Sequence, residues 1–189
     1  MYDTTAFNFT MMYGLDALTV GENIESNLVG WEPNQIISEI TEDAVMWATD
    51  GIDDRSVAFA ARMMEQDVEV RIVDKDAVLS GHKLSRGSVV VIAMDNPEIN
   101  NLPDMIKVVS EELNIEIMSL ESGFGPEELP DWGGRHFRLL EKPQIAMLSH
   151  EGFNSYDVGV SLWSIDHHLG IRHSPVSYTH LRAHETREY

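Results

Sequence analysis

The strongest candidate for chemistry in this sequence is a short polar loop that follows an apolar run. Residues 149–156 read Ser-His-Glu-Gly-Phe-Asn-Ser-Tyr, directly after residues 144–148 (QIAML), which predict a strand. The loop offers an imidazole, a carboxylate and hydroxyl groups, and the helix predicted after it adds backbone N–H groups that attract anions. Open α/β sheets bind ligands at the carboxyl ends of their strands. We therefore predict a small-ligand site at this loop, formed by His150, Glu151, Asn154, Ser155 and Tyr156.

The same loop has a simpler interpretation. Asn154 or Ser155 is a good N-cap, because its side-chain oxygen can accept a hydrogen bond from an otherwise unpaired N–H in the first helical turn. A position at a strand end does not by itself indicate a ligand. Capping without a ligand therefore remains the alternative.

Patterns typical of catalytic or metal sites are missing from the sequence. It has no cysteine, which excludes thiolate zinc sites and a cysteine nucleophile, and it has no Gly-x-Ser-x-Gly or phosphate-loop motif. The adjacent His167 and His168 point about 100° apart on a helix. With Asp166 and His173 they are better explained as solvated groups near a helix C-terminus. We predict no catalytic residue, no metal ligand and no cofactor in this chain.

The net charge and the hydropathy of the chain disfavour several classes of partner. The 189 residues include 32 Asp and Glu against 13 Lys and Arg, which gives a formal charge of −19. Nucleic acids and anionic membranes repel such a surface, so we expect neither as a partner. No apolar run approaches the ~20 residues that span a bilayer. The first ten residues lack the basic and then apolar order of a signal peptide.

The rest of the sequence alternates between predicted strands and predicted helices. Short apolar or alternating runs predict strands at residues 44–47, 68–73, 115–120 and 144–148. Apolar residues at helical spacing predict helices, with Asn114 and Gly170 as stops for the second and third, at residues 57–64, 102–113 and 158–169. Residues 78–80 and 88–94 flank a polar turn and predict a β-hairpin. This alternation indicates βαβ units, and we predict an α/β fold with a largely parallel sheet and flanking helices.

Three stretches of the sequence carry a resemblance to a known family. Residues 2–16 read YDTTAFNFTMMYGLD, residues 84–94 read LSRGSVVVIAM, and residues 139–174 begin with LLEKPQIAML. The first two resemble the region beyond the catalytic domain in large zinc carboxypeptidase-like proteins, the carboxypeptidase A-type metallopeptidases. The third resembles the opening of the amidotransferase-like domain that follows. The resemblance thus implies a flavodoxin-like or amidotransferase-like fold that is truncated here.

The resemblance also implies what the parent protein does. Such a parent is a zinc-dependent hydrolase that releases C-terminal residues from peptides and is exported to the periplasm or the exterior. Its zinc belongs to a catalytic domain upstream of this chain, and that domain is the implied partner. The family's His-x-x-Glu motif occurs at none of the eight histidines, so no zinc ligand or catalytic residue is carried over to this sequence.

These observations divide the chain into five predicted regions. The C-terminal region, residues 174–189, reads SPVSYTHLRAHETREY and resembles a translated sequencing adapter. The predicted regions are an irregular aromatic and Met-rich lead-in at 1–40, an α/β accessory region at 41–121, a Gly/Pro-rich linker at 122–141, the first βα unit of an amidotransferase-like domain at 142–173, and an artefactual tail at 174–189. We expect a non-catalytic accessory fragment of a zinc carboxypeptidase-like metallopeptidase. The alternatives are an independent α/β module that binds a small ligand at residues 149–156, or a degenerate amidotransferase-like domain.

Overall fold

The structure, a computed structural model, describes residue 21 and residues 34–126, 128–149 and 152–176. The chain divides into two compact units, Met1–Asn34 and Gln35–Tyr189, and every element named below lies in the second. Most of the predicted lead-in lies outside the described residues, as do residues 177–189 of the predicted tail. Within the described residues, no helix is both long enough and apolar enough to cross a membrane.

Nine strands and three α-helices are present in the described residues. The strands are β1 Met46–Thr49, β2 Val70–Val73, β3 Ala77–Leu79, β4 His82–Leu84, β5 Val89–Ile92, β6 Met118–Leu120, β7 Phe137–Leu139, β8 Ile145–Leu148 and β9 His173–Val176. The helices are α1 Arg55–Glu65, α2 Leu102–Leu113 and α3 Ser155–Trp163. A 3₁₀ turn at Ala93–Asp95 follows β5, and a π-helical segment at Ser164–Leu169 continues α3.

The main sheet has five strands in the order β6-β1-β5-β2-β7, and all of its neighbouring strands are antiparallel. The prediction of a largely parallel, flavodoxin-like or amidotransferase-like sheet is therefore wrong. The physical reason lies in the connections. Helix α1 joins β1 to β2, which run in the same direction, but β5 inserts between them and opposes both. Helix α2 likewise joins β5 to β6, which run in the same direction with β1 between them. Two interlocked crossovers of this kind form a split βαβ arrangement, as in ferredoxin-like folds.

One parallel pair is present among the described strands. Strands β8 and β9 pair from Ile145 with His173 to Leu148 with Val176, and α3 with its π-helical continuation forms the crossover. Residues Ile145–Val176 thus form a βαβ unit, and the prediction of an amidotransferase-like domain that begins at 142–173 stays a prediction. The second strand of this unit includes residues 174–176, the first three of the predicted tail.

One face of the main sheet packs against α1 and α2. Phe59 and Met63 of α1 and Ile106 of α2 are fully buried against Trp47 of β1. Helix α2 ends at Asn114, whose backbone is left-handed with φ 50° and ψ 47°. This end confirms the predicted stop, because asparagine tolerates that conformation better than most residues.

The other face of the main sheet is covered by a small hairpin. Strands β3 and β4 pair with each other, and Leu79 and Leu84 bury their side chains against Val90 and Phe137. The hairpin predicted between residues 78–80 and 88–94 is therefore wrong in its second strand. β5 has the longer, wholly buried apolar run and occupies the centre of the sheet, while β4 takes its place in the hairpin.

Candidate functional site

The predicted ligand loop is described only in part. His150 and Glu151 lie outside the described residues. The Oδ1 of Asn154 accepts a hydrogen bond from the backbone N–H of Tyr156 at 3.0 Å, so Asn154 caps α3. Ser155 is exposed, and Tyr156 is 83% exposed. The described part of the loop therefore does what a helix cap does, and the ligand site at residues 149–156 stays a prediction.

The histidines near the end of the third helix do not form a metal cluster in the described residues. Nδ1 of His173 lies 3.1 Å from Oδ1 of Asp166, and the ring of His167 lies 6.0 Å from that of Trp163. No group of three or more His, Asp or Glu side chains with metal-binding geometry occurs in the part of the chain that the structure describes.

Ionic contacts attach the βαβ unit to the end of α1. Nε of Arg172 contacts Oε1 of Glu65, and Nζ of Lys142 lies 3.0 Å from Oδ1 of Asp67. Burial opposes ionisation of Glu65, but the hydrogen bonds from Arg172 and the charges of Arg172 and Lys142 together outweigh it and lower the pKa of this carboxyl. Each contact pairs a basic side chain beside the βαβ unit with a carboxylate at the end of α1, so we assign these contacts a structural role.

An apolar groove lies at one end of the five-stranded sheet, on the face that the hairpin covers. Its volume is about 430 Å³. It forms where β1 begins and where β5 and β6 end. The residues that line it are Ala44, Val45, Met46, Ile92, Ala93, Met94, Glu121, Ser122, Gly123, Phe124 and Trp132. Among these, Glu121 is the one ionisable side chain.

Large apolar side chains are exposed around this groove. Met94 is 73% exposed, Phe124 is 76% exposed, and Val45 is 43% exposed. The wall beside them depends on a glycine, because a Cβ at Gly123 would lie 1.9 Å from Cδ1 of Trp132. The backbone N–H of Trp132 also donates to the carbonyl of Gly123 at 3.1 Å. The contact between Gly123 and Trp132 therefore helps to hold the wall of the groove in place.

The groove residues are ones to which sequence analysis gives no role. Met94 falls at the end of a predicted strand, and Phe124 falls in the predicted linker. The signal that could have found Phe124 is its position between Gly123 and Gly125, where a large aromatic residue has little local chain to pack against. No local sequence pattern predicts that Met94 and Phe124 lie close to Val45, because this proximity depends on the order of strands in the sheet.

Comparisons of this chain with protein-family models, with curated proteins and with solved structures find no match.

Proposed function

We propose that this chain is a non-catalytic accessory region of a zinc carboxypeptidase-like metallopeptidase, and that its apolar groove packs against the peptidase domain. The observation that carries the proposal is the groove itself, with Met94 and Phe124 exposed on a chain of formal charge −19. The family assignment comes from the sequence resemblance at residues 2–16, 84–94 and 139–174. The groove adds an exposed apolar surface that suits packing against another domain.

The composition of the groove favours a protein partner. The buried centre of a protein interface is enriched in aromatic residues and methionine and depleted of charge. Met94, Phe124 and Trp132 fit this composition, and Glu121 alone brings a charge to the described lining. A contiguous exposed apolar patch on a soluble domain usually marks a site of interaction. The negative charge of the rest of the chain disfavours non-specific association through charge repulsion.

The parent protein can be tested at the level of the gene. Recovery of the DNA upstream of Met1 should show a reading frame that continues without a stop and encodes a His-x-x-Glu motif. A stop codon in frame directly before Met1 would contradict the accessory role.

The packing of the groove is tested on the whole parent protein. Phe124→Asp places a charge in the groove and should loosen the contact with the peptidase domain, so that limited proteolysis cuts between the two parts faster. Ile52→Asp is the matched control, because Ile52 is 80% exposed and lies outside the groove. Equal cleavage rates for the two variants would show that the groove is not the contact surface.

A small apolar ligand is the second candidate occupant. The volume of about 430 Å³ falls within the roughly 300–1,000 Å³ of small-molecule sites. A thermal-shift screen against fatty acids and other apolar compounds tests it, since Phe124→Asp should abolish any stabilisation. A ligand bound instead at residues 149–156 would lose affinity in His150→Ala and keep it in Phe124→Asp.

A further inference from the structure

Helix α3 has an outer face that the described part of the chain leaves largely uncovered. Its large apolar side chains, Tyr156, Val160 and Trp163, are 83%, 67% and 62% exposed. Gly159 lies among them and is exposed as well, whereas Leu162 on the other side of the helix is half-buried. We call Tyr156, Gly159, Val160 and Trp163 the outer face of α3. A contiguous apolar patch of this kind usually marks a site of interaction.

The glycine in this face has no structural reason within the described residues. Glycine is unfavourable in the interior of a helix. Gly159 has no left-handed φ that would require it, and a Cβ built there would have no heavy atom within 4 Å. The distance between two packed helices depends on the size of the side chains at their contact. Gly159 therefore leaves a notch between two aromatic side chains in which a second helix fits closely.

The outer face of α3 has a symmetric order of residues. Tyr156 precedes Gly159 by three positions, and Trp163 follows Val160 by three positions. In a twofold dimer the same patch of both copies meets, so the patch must be complementary to itself. When two such helices run antiparallel about the midpoint of this pattern, Trp163 of each copy lies opposite Tyr156 of the other and beside its notch.

Charge favours a second copy of the chain as the occupant. The outer face of α3 carries no charge, although the whole chain has a formal charge of −19. Within residues 155–169 the Asp and Glu side chains are Asp157, which points about 100° away from Tyr156, and Asp166, which lies 3.1 Å from Nδ1 of His173. Two copies repel each other over their acidic surfaces, and the repulsion is smallest where charge is absent. A partner recognised by its charge would find no group to pair with on this face.

We propose that two copies of this chain form a symmetric dimer through the outer faces of α3, with the two helices antiparallel. The contact contains four aromatic side chains, which bury roughly 150–250 Å² each in proteins. This area approaches the ~1,000 Å² that a specific interface requires, so the dimer is weak and reversible. The proposal is independent of the role of the apolar groove.

The mass of the full chain in solution is the first measurement. Sedimentation equilibrium should give an average mass that rises with protein concentration and levels off at twice the mass of the chain. The dissociation constant should fall as the NaCl concentration rises, because salt screens the repulsion between two acidic copies. Phe124→Asp should leave both results unchanged, so failure here is distinguishable from failure of the groove proposal.

Cysteine substitutions locate the symmetry axis, because the chain has no cysteine of its own. Val160→Cys lies beside the axis and should form a disulfide between two copies under mild oxidation. Tyr156→Cys should not link to itself, since residue 156 of the other copy lies roughly 10 Å away along the helix, and a disulfide needs Cα atoms within about 7 Å. A mixture of Tyr156→Cys and Trp163→Cys chains should link one variant to the other.

Substitution of the glycine separates the dimer from the fold. Gly159→Gln fills the notch and should raise the dissociation constant by at least roughly tenfold, as overpacking does. The same change should raise the urea midpoint of the dilute, monomeric chain, because glutamine favours a helix more than glycine does. Ser161→Gln is the matched control on the same helix, since Ser161 is exposed and lies outside the outer face, and it should leave the dimer unchanged.

Four results would overturn the proposal. The first is a chain that stays monomeric at every concentration, which would show that nothing of this kind covers the face. The second is equal cross-linking of Val160→Cys and Tyr156→Cys, which would exclude the antiparallel arrangement. The third is an equal dissociation constant for Gly159→Gln and Ser161→Gln, which would show that the notch takes no part. The fourth is loss of the dimer in Phe124→Asp, which would place the contact at the apolar groove instead.

Discussion

Arg55 clamps Asp53 at the start of α1 and at the same time reaches the end of α2. Its Nε lies 2.9 Å from Oδ1 and 3.1 Å from Oδ2 of Asp53. Its Nη1 donates to the backbone carbonyl of Asn114, directly after α2. One guanidinium therefore joins the beginning of one helix to the end of the other, where the carbonyls have no partner within the helix. This contact helps to fix both helices on the same face of the sheet.

Replacement of Arg55 should destabilise the domain. Arg55→Met keeps much of the aliphatic length but loses the donors to Asp53 and to the Asn114 carbonyl, and hydrogen bonds to charged groups are the stronger ones. Because the site is partly exposed, we expect a loss of about 1–2 kcal/mol in the free energy of unfolding. Urea denaturation measures it. Arg138→Ala, on an exposed position of β7, is the control, and an equal loss there would contradict a specific role for Arg55.

The same contact predicts a dependence of stability on pH. The hydrogen bond from Arg55 holds the pKa of Asp53 below its ordinary value, against a smaller opposing effect of burial. A carboxyl with a lowered folded pKa contributes its full stability above the unfolded pKa of about 3.9 and loses it as the pH falls through the folded pKa. The stability difference between the unaltered chain and Asp53→Asn should therefore be constant above about pH 5 and shrink below about pH 4.

Urea denaturation at pH 7, 5, 4 and 3 measures this difference. In the Arg55→Met background the substitution Asp53→Asn should show much less dependence on pH, because the interaction that lowers the pKa is gone. A difference that stays the same from pH 7 to pH 3 in the unaltered background would disprove the linkage.

Gly51 is required by a close approach of two backbone segments. A Cβ at this position would lie 2.2 Å from the carbonyl carbon of Gly87, and the N–H of Gly51 donates to Oγ of Ser88 at 3.0 Å. Gly51→Ala must push the loop after β1 away from the turn before β5. We expect a loss of about 1–3 kcal/mol, typical of overpacking.

The control for Gly51 is another loop glycine. A Cβ at Gly133 would have no heavy atom within 4 Å, so Gly133→Ala should leave the urea midpoint nearly unchanged. The midpoints of the two variants are compared with that of the unaltered chain. A midpoint for Gly51→Ala as high as that for Gly133→Ala would show that the loop adjusts without cost.

The outer face of α3 should promote self-association. Tyr156, Val160 and Trp163 follow one another at helical spacing and are 83%, 67% and 62% exposed. No residue of α3, all of which is described, is buried. Val160→Lys and Trp163→Lys should lower light scattering at high protein concentration and change the free energy of unfolding by no more than about 0.5 kcal/mol.

A substitution on the inner face of α3 serves as the comparison. Leu162 is half-buried, so Leu162→Lys should lower stability without lowering self-association. If the Val160 and Trp163 variants unfold as readily as Leu162→Lys, the outer face contributes to the fold and is not a free surface.

The ends of two helices could be read from the sequence because they depend on local chemistry. Asn114 and Gly170 both adopt the left-handed conformation, with φ values of 50° and 66°. Few residues tolerate this conformation, so their types at the end of an apolar periodicity indicate a stop. The apolar run that contains Trp47 likewise predicts a buried strand by its composition.

Sheet order could not be read in this way. The alternation of strands and helices correctly placed a helical crossover between β1 and β2, but it contains no information on which strand lies between them. β5 takes that position and makes the sheet antiparallel. The choice depends on how the apolar faces of five strands, two helices and a hairpin fit together, which no single segment determines.

The sequence by itself determined the apolar segments, the helix stops, the acidic surface and the lack of thiol chemistry. Only the tertiary structure decided which segments became neighbours, and with that it created both the apolar groove and a second cavity beside the start of α2. The groove brings Val45, Met94 and Phe124 to one place, and the second cavity is lined both by Trp47 and by the first residues of α2. These residues are distant in the chain, and their proximity follows from strand order and packing, whereas periodicity and capping act only over a few residues.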